Sequence, residues 1–91
     1  MNSFDFQLFL ANADRSTEEM AEALYAAGCD DGTLFSSNGE VVIGFTREAD
    51  SLEEAVRSAI ANVIQAGYAV SRVEPAEAPV FDRINQELAV R

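Results

Sequence analysis

Apolar residues between positions 4 and 10 fall on every second place: Phe4, Phe6, Leu8 and Leu10 share one side, and Asp5, Gln7 and Phe9 share the other. That period of two predicts a half-buried strand. After a polar connection over residues 12–15, Ser16-Thr17-Glu18-Glu19 has the form of a capping box, in which a hydroxyl accepts from the amide three residues on. The helix it starts should turn Met20, Ala23, Leu24 and Ala27 inward and stop at Gly28. Residues 32–37 read as a short strand with Leu34 and Phe35 as its large apolar side chains, which leaves its register open. Asn38-Gly39 suits a two-residue hairpin turn, so residues 40–45 should return antiparallel with Val41, Ile43 and Phe45 on the core face. A second capping box, Ser51-Leu52-Glu53-Glu54, opens a helix with Leu52, Val56, Ala59, Ile60 and Val63 inward and Gly67 at its end. Residues 68–73 form the last strand, and Pro75 stops it.

Strand, helix, strand, strand, helix, strand with short connections is the ferredoxin-like split βαβ arrangement, an α+β fold. Four antiparallel strands in the order 4-1-3-2 then carry both helices on one face and leave the other open. The domain should span residues 1–75, with a short stiff linker at 76–79. In residues 80–91, Val80, Phe81, Ile84 and Leu88 recur at helical spacing. A helix of about ten residues is marginal alone. It should therefore dock on the open sheet face, where Phe9 and Val42 would be exposed, in its own chain or in a neighbour. Phe9, Val42, Phe81, Ile84 and Leu88 are thus the candidate interaction surface.

Charge narrows the function. Sixteen carboxylates face six arginines in 91 residues, a formal net charge of −10, which argues against direct binding to phosphate backbones or anionic membranes and allows a basic protein partner. The topology gathers Asp30, Asp31, Glu48, Asp50, Glu53, Glu54, Glu74 and Glu77 at one edge, with Asp5 near the start of the first strand and Arg47 as the nearby cation. This candidate acidic edge could recognise a basic partner, or Asp30, Asp31, Glu48 and Asp50 could hold a divalent cation, although their spacing matches no calcium loop. The simpler reading is carboxylates at helix starts, with Arg47 pairing Asp30 or Asp31 to hold two loops together.

No histidine and no glycine-rich phosphate loop are present, so catalytic, cofactor and metal residues are expected to be none. Cys29, the single cysteine, cannot form a disulfide within the chain and stands beside two carboxylates that would raise its pKa, which suits a small buried residue in a reducing compartment. No apolar run is long enough for a membrane span, and a cytoplasmic location is expected.

Residues 27–34, Ala-Gly-Cys-Asp-Asp-Gly-Thr-Leu, then Phe45-Thr46-Arg47-Glu48-Ala49-Asp50-Ser51, then Ala55-Val56, Ser58-Ala59-Ile60, Val63 and Ala66-Gly67, resemble the N-terminal domain of a group of uncharacterised bacterial proteins in which a domain of this size precedes a helix-turn-helix. The resemblance covers roughly residues 4–75 and implies a companion domain to DNA-binding regulators; it supplies no catalytic or ligand residues. The sixteen residues after Pro75 are too few for a helix-turn-helix, although residues 84–91 look like a remnant of its first helix. The expectation is a non-enzymatic interaction or homodimerisation domain. The alternatives are a small acidic inhibitor or antitoxin-like protein that covers a basic surface, and a small-molecule-sensing module suggested by topology alone.

Overall fold

A computed structural model describes residues 2–11, 17–74 and 84–88. Its elements are β1 (Asn2–Ala11), α1 (Glu18–Ala26), β2 (Gly32–Ser37), β3 (Glu40–Ala49), α2 (Leu52–Gln65) and β4 (Ala69–Glu74), with a further helical turn at 84–88. The strands form one antiparallel sheet in the order β2-β3-β1-β4, the predicted ferredoxin-like arrangement. Among the described residues, no helix is long and apolar enough to cross a membrane.

The two helices end by the same device. Gly28 and Gly67 take φ of 110° and 99°, values a side chain resists. This lets the next amide reach back to the last turn: Cys29 donates to the Leu24 carbonyl at 2.9 Å and Tyr68 to the Val63 carbonyl at 3.2 Å. Each closure turns the chain sharply from helix towards strand. The first buries Cys29 against the core as a consequence. At the other ends, Ser51 Oγ accepts from the Glu54 amide at 3.1 Å as expected, whereas α1 is capped by Thr17, which accepts from the Met20 amide at 3.2 Å. The capping position thus lies one residue after the expected Ser16, whose own structure is outside the described residues.

β3 runs four residues beyond the hairpin's apolar stretch, because Thr46–Ala49 find backbone partners in Asn2–Asp5. Arg47 consequently stands on a strand, on the same face as Phe45, and not in a loop. The Asn38-Gly39 turn has both residues at positive φ, 52° and 77°, as the hairpin requires. On β4 the pairing with β1 shifts between Phe9 and Leu10, so Leu10 faces Val70 while Phe9 faces Arg72. This bulge around Ser71 places both Val70 and Val73 in the core and turns Arg72 and Glu74 to the other side. A strand of strict period two would have sent one of the valines out.

The core lies between the sheet and the helices, with Leu8, Ile43, Val56 and Val63 at its centre. Ile84 and Leu88 belong to that same core, 1% and 9% exposed, and pack beside Ile60, Ala61 and Ile64 of α2. This corrects the expected docking on the open sheet face. The open face offers them little apolar surface, since Val42 is fully buried and Phe9 lies under Arg72, whereas Ile60, Ala61 and Ile64 line the flank of α2 where they pack. Arg57 of α2 reaches Glu87 at 2.8 Å, and the Asn85 amide bridges the free edge of β4, with Oδ1 accepting from the Val73 amide at 2.7 Å and Nδ2 donating to the Val73 carbonyl at 3.0 Å. One side chain thereby imitates a neighbouring strand and caps that edge. Phe81, assigned to the same surface from the sequence, lies outside the described residues, as does the 76–79 linker.

Asn85→Ala is expected to cost about 1–2 kcal/mol, the scale of two partly buried hydrogen bonds. That loss should lower the melting temperature by roughly 5–10 °C. Hydrogen exchange should report faster exchange at the Val73 amide with the β3 amides unchanged.

Candidate functional site

The expected acidic edge resolves into two unlike places, and Arg47 separates them. Its guanidinium points to the helical side and uses five N–H bonds: Nε and Nη2 to the two Asp31 oxygens at 2.7 and 2.9 Å, Nη2 to the Gly28 carbonyl at 3.0 Å, and Nη1 to Ser58 Oγ at 3.1 Å and Asn62 Oδ1 at 2.9 Å. The guanidinium carbon also lies 5.1 Å from the Phe45 ring centre, and Phe45 stacks on Phe6 with centroids 5.3 Å apart. Every donor on the planar fork has an acceptor, and the side chain is only 11% exposed. β3, the α1–β2 turn and α2 are therefore tied at one point. A side chain on Gly28 would meet the Asn62 amide at 3.1 Å, so this glycine serves both the turn and the bonded cluster.

The electrostatics follow from that bonding. The Arg47 hydrogen bonds hold the Asp31 carboxyl below the usual carboxylate range, outweighing the burial that opposes it. Burial pushes the Cys29 thiol up, with Arg47 opposing and Asp31 and Asp30 adding smaller increments. The thiol is thus buried and protonated at neutral pH, which makes it a poor nucleophile. Of the other edge residues, Glu53 pairs with Arg57 at 2.8 Å, Glu54 and Asp50 are exposed at the start of α2, Asp30 is exposed, and Glu48 points to the opposite side of the sheet. Among the described residues, no group of three or more His, Cys, Asp or Glu side chains is placed to hold a metal ion.

That opposite side is the open sheet face, and it is less apolar than expected. Val42 is fully buried there, between its cross-strand neighbours Phe9 and Phe35. Phe9 is half-buried beneath the Arg72 guanidinium, whose carbon lies 3.9 Å from the ring centre. Arg72 is held in turn by Glu40 at 2.8 and 3.1 Å, with Glu74 at 3.7 Å. The sequence-based surface of Phe9, Val42, Phe81, Ile84 and Leu88 is therefore not one surface. Phe9 and Val42 are roofed on the sheet face, and Ile84 and Leu88 are buried on the helical side.

What the open face offers is mixed, polar side chains around an apolar floor. Gly44 interrupts β3 and leaves a trough of about 600 Å³, lined by Asp5, Gln7, Thr33, Thr46 and Glu74. Thr46 Oγ1 donates to Asp5 Oδ1 at 2.8 Å and fixes that carboxylate at the trough's side. The Phe35 ring approaches the floor, 3.7 Å from where a side chain on Gly44 would begin. Glu40 and Glu48 flank it further along β3. Asp5 and Glu74 lie on one diagonal, since Gln7 pairs with Glu74 two residues from Asp5. Such a diagonal spans about 7–8 Å. The single signal for this trough in the sequence is Gly44 inside an otherwise apolar strand, a sign of close backbone approach that the hairpin pattern obscured.

Arg47→Met is expected to destabilise the fold by about 2–3 kcal/mol, because it leaves Asp31 and the Gly28 carbonyl without their partner. Asp31 carries a depressed folded pKa, so its contribution is complete above the unfolded value near 4 and is lost as pH falls through the folded value. Urea titrations from neutral to acid pH should accordingly show a shallower loss of stability below about pH 4 in Asp31→Asn than in the parent. No family model, no curated protein and no solved structure matches this chain.

Proposed function

We propose that the chain is a non-enzymatic protein-interaction domain that engages a basic partner through its open sheet face. The observation that carries this reading is the charge balance of that face: Asp5 and Glu74 line a glycine-floored trough, Glu40 and Glu48 stand further along β3, and Arg72, the cation among them, is already bound to Glu40 with Glu74 at 3.7 Å. Two copies meeting through these faces would oppose carboxylate to carboxylate, so the charge favours a basic partner over face-to-face self-association. The carboxylates of Asp5 and Glu74 can receive an arginine or lysine head, while Phe35 and Gly44 give its aliphatic stem a flat, uncharged floor.

This reading joins the first expectation, an interaction domain, to the partner chemistry of the second, an acidic protein covering a basic surface, and it moves the contact from the acidic edge to the sheet face. Kinship with the accessory domain of helix-turn-helix regulators rests on the sequence resemblance. A basic linker or a basic DNA-reading module is the kind of segment that such a face would fit.

A labelled peptide of alternating arginine and serine, followed by fluorescence anisotropy, tests the assignment. Asp5→Asn combined with Glu74→Gln is expected to weaken binding roughly tenfold or more, about 1.4 kcal/mol. Glu18→Gln combined with Glu22→Gln, the same change in net charge on α1, should weaken it by no more than about twofold. Equal losses from the two pairs, or no binding at low salt, would overturn the assignment.

A further inference from the structure

Arg72 lies within reach of two carboxylates and bonds the one on the more distant strand. It stands on β4 opposite Phe9, with Glu74 two residues further along the same strand and on the same face. Glu40 lies on β3, on the far side of β1, two strand spacings or roughly 10 Å across the sheet. The guanidinium nevertheless extends over the Phe9 ring, its carbon 3.9 Å from the ring centre, and gives Glu40 two bonds, Nη1 to Oε2 at 2.8 Å and Nη2 to Oε1 at 3.1 Å. Its Nε stands 3.7 Å from Glu74 Oε1, too far for a hydrogen bond.

The fork of a guanidinium matches the two oxygens of one carboxylate, and the ring beneath supports it on the way. The hairpin sets Glu40 to receive it. Glu40 pairs with Ser37 directly after the Asn38-Gly39 turn, which fixes the side of the sheet on which its carboxylate stands. The Arg72 hydrogen bonds in turn hold the Glu40 carboxyl below the usual carboxylate range, so it is charged at neutral pH.

The trough feels the outcome. Two carboxylates line it, Asp5 and Glu74, and Asp5 already accepts from Thr46 Oγ1 at 2.8 Å. Were Arg72 released from Glu40, Glu74 would be the carboxylate nearest to its Nε, and an ion pair there would set an internal cation where an incoming one needs to sit. We infer that Glu40 is a positioning residue for the trough: it draws Arg72 across Phe9 and so keeps Glu74 open to the cation of a partner. The inference rests on the basic-partner reading of the open face.

Nuclear magnetic resonance on the free chain tests the hold without any partner. The Arg72 side-chain protons over the Phe9 ring should resonate upfield of their ordinary positions. Glu40→Gln is expected to return them towards those positions, and Glu48→Gln, on the same face, to leave them unmoved. Binding of the labelled arginine–serine peptide should weaken roughly fivefold or more in Glu40→Gln, against about twofold in Glu48→Gln, which removes the same charge. In an Arg72→Met background both substitutions should weaken it by only about twofold, because Glu40 then has no cation to hold. Unmoved Arg72 resonances in Glu40→Gln overturn the inference, as does a fivefold loss that persists in the Arg72→Met background. A parent chain that binds no peptide at low salt overturns the basic-partner reading instead, and the Arg72 resonances still decide whether Glu40 holds that side chain.

Discussion

Arg47 joins three separate parts of the chain through one planar group, and the remaining architecture is arranged so that it can. A guanidinium withdrawn this far from water is tolerable only if its donors are answered. Here two are answered by the Asp31 carboxylate, one by the Gly28 carbonyl and two by side chains of α2. Asp31 is in reach because α1 ends at Gly28 with the Cys29 amide folded back to Leu24. Ser58 and Asn62 are in reach because they stand one helical turn apart on α2. Removing any one of these supports leaves a polar group short of a partner.

That arrangement places the bonded cluster and the trough on opposite sides of the sheet. Arg47 and Asp31, two members of the expected acidic edge, are committed to each other on the helical side, as the simpler reading of that edge had it. Asp5 and Glu74 come from strands on the other side of the sheet, where alternation along β1 and the bulge in β4 deliver them to one trough, Asp5 accepting from Thr46 and Glu74 lying 3.7 Å from Arg72. Arg72 divides that face further. Its hold on Glu40 and Phe9 seals the end over Val42, so the trough is confined to the end around Gly44.

Much of the fold was legible because its signals are local. Alternation predicts β1, Asn38-Gly39 predicts the hairpin, and Gly28 and Gly67 predict both helix ends, each through a constraint that acts within a few residues. The misplacements have a common origin in partners distant along the chain. β3 continues through Thr46–Ala49 because β1 is there to pair with it. Val42 is buried because Phe9 and Phe35 flank it and Arg72 covers Phe9. Ile84 and Leu88 show helical spacing that says they dock but not where, and the bonds of Asn85 to Val73 and of Glu87 to Arg57 place them beside α2. Gly32 was read only as a strand start, yet a side chain there would come within 2.8 Å of Ile43.

The sequence elements that carry the resemblance to the regulator-associated domain acquire a physical meaning from this arrangement. Gly28, Asp31, Arg47 and Ser58 all belong to the bonded cluster, and none of them lines the trough. A set of residues whose task is to lock helices to sheet can be shared by domains that bind different partners, because it fixes the scaffold and leaves the opposite face free to vary. The trough is lined instead by Asp5, Gln7, Thr33, Thr46 and Glu74, of which Thr33 and Thr46 alternate along their strands with residues that face the helices. Successive residues of one strand serve the two tasks. Thr46 orients a carboxylate of the trough, and Arg47, pointing the other way, holds the helices in place.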